Sequence, residues 1–270
     1  MRLGFACFAF VLATQAAVAM PEMRDVSAAH GQLGPERKSA EYVRGDEVFI
    51  RFTTTGLRTD KDGRVRVELE IANLNSKGEV VDKGATPIQQ VLALGGNSFP
   101  GIARVNLLPD TPLGEYTLRV TITDQLARES ATAEYKYTVK ETEFALVAMR
   151  FHQDREGLVP APVGGVVGQT VFLQMRGVGF DRSDDEFDLE LAIQVFDAAG
   201  KPVMPKPLIA PLHSEKADVV RNTPILPLRG EITLNRAGDF VLKVTLTDKK
   251  AKKTATFEAP LKAVEPDVKR

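Results

Sequence analysis

The stretch Gly114-Glu115-Tyr116-Thr117-Leu118-Arg119-Val120-Thr121-Ile122-Thr123-Asp124 returns later in the chain as Gly238-Asp239-Phe240-Val241-Leu242-Lys243-Val244-Thr245-Leu246-Thr247-Asp248. In the first copy Tyr116, Leu118, Val120 and Ile122 occupy alternate positions, and Phe240, Leu242, Val244 and Leu246 do so in the second. Successive side chains of a strand point to opposite faces, so the alternation describes a strand with one buried and one wet face. Two further blocks recur in the same order at an offset of about 123 residues. Gly45-Asp46-Glu47-Val48-Phe49-Ile50 is echoed by Gly168-Gln169-Thr170-Val171-Phe172-Leu173, and Val65, Val67, Leu69 and Ile71 by Phe187, Leu189, Leu191 and Ile193. Three collinear blocks at one spacing mean two units of one fold, with the boundary near residues 141–143.

Turn signals at Lys61-Asp62-Gly63, Ser76-Lys77-Gly78 and Ala198-Ala199-Gly200 punctuate the strands. A helical period is not sustained anywhere in the mature chain, and only residues 88–94 suggest a short helical turn. Seven or so half-buried strands per unit cannot bury their apolar faces in one flat sheet, whereas two sheets packed face to face can. The expected fold is therefore all-β: two tandem immunoglobulin-like antiparallel β-sandwich domains, over residues 20–141 and 142–264, with a charged tail at 265–270.

The segment Asp110-Thr111-Pro112-Leu113-Gly114-Glu115-Tyr116-Thr117-Leu118 resembles the entry to the penultimate strand of immunoglobulin-like and fibronectin type III-like domains, where a tyrosine closes a corner. Leu118 stands where an antibody domain has its second cysteine. Phe240 replaces the tyrosine in the second unit and removes the corner hydroxyl. The pattern is similar to that of many bacterial exported immunoglobulin-like modules, and such a resemblance implies a fold without implying an activity.

Residues 1–19 read as a cleaved secretory signal: Arg2, an apolar run over 3–12, and Ala17-Val18-Ala19 before a mature start at Met20. The run is too short to span a bilayer, and Gly4-Phe5-Ala6 before Cys7 matches a lipoprotein box poorly. The expected location is periplasmic or extracellular, with no membrane span in the mature chain. Cys7 is the only cysteine and leaves with the signal, which removes disulfides, thiolate nucleophiles and cysteine metal sites from the mature protein. Without Arg2 the 35 basic residues become 34 against 36 acidic ones. A near-neutral balance argues against a nucleic-acid partner, which needs a clustered basic face. None of the six asparagines lies in an N-glycosylation sequon, which fits a bacterial exported protein.

Catalytic chemistry has little to work with. His30, His152 and His213 show no ligand spacing, although His30 and His152 each precede the repeat glycine by 15 or 16 residues. No serine lies in a nucleophile elbow and no glycine loop opens a helix. The reading is a non-enzymatic module without a cofactor. Residues 181–188 concentrate carboxylates, and Asp181, Asp184, Asp185 and Asp188 are a weak calcium candidate set, with a solvated polar turn as the plainer reading.

Recognition residues on a rigid sandwich normally sit in loops or at strand edges. The two longest connections are residues 201–229, rich in proline, and 82–108, with Gly95-Gly96-Asn97-Ser98 at its centre. Pro205, Pro207, Pro211 and Phe99 are accordingly the partner-binding candidates. The prolines also suit edge protection, because they cannot donate to a sheet ladder. Carbohydrate binding usually wants exposed aromatic platforms, and with no tryptophan present Tyr42, Phe99, Tyr135 and Tyr137 are the residues to check. The function expected is binding, adhesion or assembly on a protein or cell-surface polymer, with service to a separately encoded exported enzyme or secretion machine, or weak carbohydrate binding, as the alternatives.

Overall fold

The computed structural model describes residues 20–267; the expected signal at 1–19 and the end of the tail lie outside the described residues. The first unit contains β1 (Glu22–Ala28), β2 (Glu41–Val43), β3 (Glu47–Thr55), β4 (Arg64–Asn75), β5 (Val80–Val91), β6 (Phe99–Asn106), β7 (Gly114–Asp124) and β8 (Glu129–Lys140). The second repeats them as β9 (Ala145–His152), β10 (Gly164–Val166), β11 (Thr170–Val178), β12 (Phe187–Asp197), β13 (Leu208–Ser214), β14 (Ile225–Thr233), β15 (Gly238–Asp248) and β16 (Lys253–Val264). A short helix, α1 (Ala217–Arg221), lies between β13 and β14. Each unit packs a three-stranded sheet, β1-β3-β6 or β9-β11-β14, against a five-stranded one, β2-β8-β7-β4-β5 or β10-β16-β15-β12-β13. Neighbours are antiparallel except β2 with β8 and β10 with β16. In immunoglobulin terms strand D is missing beside β6 and β14.

The alternating residues meet between the sheets. Leu118 and Leu242 are both fully buried, flanked by Val120 and Ile122 in one core and by Val244 and Leu246 in the other. Complete burial of such a side chain stabilises by roughly 1.5–3 kcal/mol. Arg119 and Lys243, one residue further on, pair across the ladder with Glu134 at 2.7 Å and Glu258 at 3.1 Å. The tyrosine corner is closed: the Tyr116 hydroxyl donates to the Pro112 carbonyl at 2.8 Å. The motif's last residue is a buried carboxylate in both units. Asp124 accepts backbone N–H bonds from Arg58, Leu126 and Ala127, while Asp248 accepts from Asp181 and Ala251, so each ties the loop after the second core strand to the β7–β8 or β15–β16 hairpin.

Residues 88–91 belong to β5, not to a helical turn. The pattern misleads there because β5 is exposed almost throughout, so nothing imposes a period-two apolar set on it. For the same reason the two expected long loops are largely strand: 82–108 contains most of β5 and all of β6, and 201–229 contains β13, α1 and the start of β14.

A junction of buried charge joins the units. Asp46 and Glu47, at the start of β3, are 1% and 4% exposed. Asp46 accepts from Arg37 at 2.8 Å and from the Ala148 N–H of the second unit at 3.0 Å. Glu47 takes a bidentate bond from Arg150 at 2.8 and 2.6 Å, and Arg176 donates to the Gly45 carbonyl at 2.9 Å. Ala148 reaches Asp46 because β9 bulges there, with φ 50°, as β1 does at Asp25 with φ 54°. His30 packs edge-on against Phe257 of the second unit, centroids 4.9 Å apart. At the positions matching Asp46 and Glu47 the second unit has Gln169 and Thr170, which are exposed and half-buried.

Exchanging Asp46→Gln with Glu47→Thr installs the pair that the same corner carries in the second unit, so the first unit should fold. Coupling between units should fall by on the order of 2–4 kcal/mol, because buried charges lose their partners. Small-angle scattering should then show a larger radius of gyration and calorimetry two separate transitions; one shared transition would mean that apolar contacts alone hold the junction. A second prediction concerns acid. Burial first, and the Arg37 guanidinium second, push His30 down from 6.5 to about 4. The unfolded chain therefore binds a proton that the folded chain refuses. The contribution of His30 to stability is full above pH 6.5 and is lost as pH falls towards 4, by up to about 3 kcal/mol. His30→Leu should flatten the decline measured by denaturant titration between pH 6.5 and about 5, above the main carboxylate range; an unchanged slope would clear His30 of the effect.

Candidate functional site

The acidic turn at 181–188 is built around a single 3-10 turn, Ser183–Asp185, in which Asp184 and Asp185 take the left-handed backbone conformation. Its carboxylates meet different cations. Asp185 forms a bidentate pair with Arg221 of α1, which holds its carboxyl below the usual range. Asp184 faces Lys250 at 3.7 Å, and Asp188 lies 4.0 Å from Lys249. Asp181 accepts the Ser183 N–H at 2.7 Å, and this backbone bond lowers its pKa. Among the described residues no three His, Cys, Asp or Glu side chains gather as a metal cluster. The turn joins α1, β12 and the β15–β16 hairpin through cations of the protein itself.

The histidines do not form a pair. His152 lies opposite Phe172, whereas the residue bonded to the matching Phe49 is Ala29, so His30 sits one position out of register. His152 is buried with neither ring nitrogen hydrogen-bonded, and burial lowers its pKa, with Arg150 adding to the effect and Asp154 opposing it. Exposed His213 bonds Glu215 at 2.9 Å, which raises its pKa. Of the aromatic candidates, Tyr42 and Tyr137 are buried; all four tyrosines of the chain gather in the first unit, with Tyr116 stacked on Tyr137 and the Tyr42 and Tyr135 hydroxyls 3.5 Å apart. They form core and its margin, without a flat exposed platform.

The partner-binding candidates flank two grooves, one per unit. A five-stranded sheet is wider than the three-stranded sheet it faces, so β5 and β13 project past β6 and β14 and leave the sandwich open on that side. In the first unit an open groove of ≈ 690 Å³ runs past Phe99, Gly101, Leu69, Ile88 and Gln90. A Cβ on Gly101 would sit 2.1 Å from the Phe52 ring, so only glycine permits this approach. In the second unit a groove of ≈ 400 Å³ is lined by Ile193, Val203, Met204, Leu208, Ile232 and Phe240. Pro205 and Pro207 lie in the bend between Met204 and Leu208. Pro211 does not join them. It lies within β13 opposite Glu190, on the other face from Leu208 and Leu212.

Register separates the two grooves chemically. The inward-facing residues of β5 are Asp82, Gly84, Thr86, Ile88 and Gln90, paired with the core-facing side of β4. Those of β13 are Leu208, Ala210, Leu212 and Ser214. One shelf is polar and the other apolar; Leu208 remains 51% exposed. Sequence reasoning found the flanking prolines but missed Leu208, Met204, Ile232 and Arg236, because their juxtaposition depends on which strands end up at the sheet edges.

With its carboxylates engaged by arginine and lysine, the acidic turn should respond little to calcium. The melting temperature is expected to shift by less than about 1 °C between millimolar calcium and excess chelator, since a ligand at a hundredfold excess over Kd adds about 2.7 kcal/mol and several degrees. A calcium-dependent rise of several degrees, abolished by Asp184→Asn with Asp185→Asn, would make this turn a metal site.

No family model and no curated protein matches the chain. Similar solved structures include the C-terminal domain of the AgI/II polypeptide BspA of Streptococcus agalactiae, at 11% identity over 90% of this chain and 99% of that one, with a TM-score of 0.29. Another is the C-terminal domain of the Streptococcus pyogenes antigen I/II-family protein AspA, at 10% identity over 91% and 99%, with a TM-score of 0.30.

Proposed function

We propose that the chain is an exported, non-enzymatic binding or assembly module, with units over residues 20–141 and 142–264, and that it recognises a protein or cell-surface polymer through the open side of its second sandwich. One observation carries this reading: the second unit leaves an apolar shelf uncovered where the equivalent shelf of the first unit is polar. Leaving Leu208 and Val203 of this groove open to water costs hydrophobic free energy that a monomeric sandwich has no structural need to spend, and such patches accompany interaction sites. The proline bend at Pro205 and Pro207 fixes one end of the shelf. Phe99 marks the corresponding but more polar place in the first unit. No helix among the described residues is long and apolar enough to cross a membrane. Service to a separately encoded exported enzyme or secretion machine is the same binding reading with a different partner.

The test is capture from the native exported fraction with the mature protein as bait. Leu208→Glu, at an exposed position, should leave the melting temperature within about 2 °C of wild type and reduce recovery of the specific partner at least about tenfold. Ile88→Glu in the first-unit groove should reduce it far less. Equal recovery by the wild type and Leu208→Glu would move recognition off this groove.

A further inference from the structure

The open side of each sandwich presents two free strand edges, and each of the four carries a proline: Pro87 in β5, Pro100 in β6, Pro211 in β13 and Pro227 in β14. A proline tolerated in an edge strand turns its nitrogen away from the ladder. Such residues are the usual guard against strand addition. Their placement is unequal. Pro211 interrupts β13 at its centre, whereas Pro227 stands near the start of β14 and leaves the stretch from Arg229 to Thr233 unguarded.

Hydrogen bonding fixes which groups that stretch offers. Leu234 donates to Gln169 and accepts from Gly168, so its backbone polar groups face β11. Alternation then points the N–H and C=O groups of Arg229, Glu231 and Thr233 outward, in phase with the outward nitrogen of Pro227. Side chains at the matching edge of β6 turn towards the junction. Arg104, the counterpart of Glu231, lies 3.4 Å from Glu47, and Asn106, the counterpart of Thr233, meets Arg176 of the second unit at 3.5 Å. In the first sandwich these side chains reach the unit junction, whereas their counterparts Glu231 and Thr233 meet only Arg155 and Thr170 of their own unit.

Charge defines the occupant further. Arg236 lines the groove and Lys206 lies between two residues that do. Among the described residues neither forms an ion pair. The groove's one carboxylate, Glu231, is engaged by Arg155 at 3.1 Å.

We propose that the free edge of β14 accepts an extended segment of a partner protein as an added strand in the place of the missing strand D. The segment pairs through its main chain with Arg229, Glu231 and Thr233, lays alternate apolar side chains on Leu208, Leu212 and Ile232, and brings a carboxylate to Arg236 and Lys206. Main-chain pairing supplies affinity and the alternating pockets supply selectivity, as in other strand-addition complexes. The inference rests on the binding reading above and specifies its partner.

The experiment selects short linear peptides from a random displayed library on the mature two-unit protein and maps the enriched peptides by amide hydrogen exchange. Enriched sequences should alternate apolar residues and carry aspartate or glutamate towards one end. At saturation they should slow exchange at Arg229, Glu231 and Thr233 by at least about tenfold while leaving Ile102 and Arg104 unchanged. N-methylation of the peptide backbone should weaken binding only at every second residue. Glu231→Pro removes one outward N–H at a position in phase with Pro227 and should abolish enrichment with the fold retained; Lys206→Glu with Arg236→Glu should replace acidic by basic ends. Failure to enrich any peptide over the Glu231→Pro protein, or protection elsewhere, would overturn the proposal. If Leu208→Glu still impairs capture of the native partner in that case, the binding reading survives without strand addition; if it does not, both fall.

Discussion

Five strands facing three is the constraint from which the architecture and the candidate site both follow. A sheet buries its apolar face only where another sheet covers it. The inner residues of β4 and β12 are covered along most of their length, while β5 and β13 project beyond the opposing edge. The first unit resolves this by making the projecting face polar, with Asp82, Thr86 and Gln90. The second keeps Leu208, Ala210 and Leu212 there. Identical strand order with opposite chemistry at one place is what distinguishes two otherwise equivalent units.

The same logic applies at the junction. A duplicated domain could in principle stack indefinitely, because the surface that meets one neighbour is repeated in the next copy. Here Asp46 and Glu47 are replaced by Gln169 and Thr170, and the positions matching Ala148 and Arg150 on β1 lack the arginine that would complete the contact. The charged contact between β3 and β9 thus has no equivalent built from β11 and β1 residues. Buried ion pairs contribute little net stability against apolar residues of similar size, but losing one partner is costly, so their main effect is to make the arrangement of the two sandwiches specific.

Strand pattern made the cores legible in the sequence. Leu118, Leu242 and their neighbours alternate because a facing sheet covers them, and Tyr116 announces its corner through the residues before it. Where coverage ends, the pattern ends with it. Exposed β5, with Pro87 within it, reads as a loop or a turn of helix, and β13 is hidden among prolines placed there to blunt its edge. The buried partners of Asp46, Asp124 and Asp248 were equally silent, since one lies 102 residues from its acceptor and two others 66 and 67, and no local spacing connects them.

Edge protection and edge recognition are two settings of one device. A bare edge adds any strand, including that of another copy, and a fully guarded edge adds none. β14 is guarded at Pro227, open for the next turns of its pleat, and bordered by an apolar shelf and by Lys206 and Arg236, which form no ion pair among the described residues. Main-chain pairing alone would be promiscuous. Restricting the open stretch to roughly five residues and requiring both an apolar alternation and a carboxylate converts a general hazard into a selective one. The junction adds to the difference between the units: Arg176 reaches the Asn106 side chain on β6, whereas the matching Thr233 on β14 meets only Thr170 of its own unit.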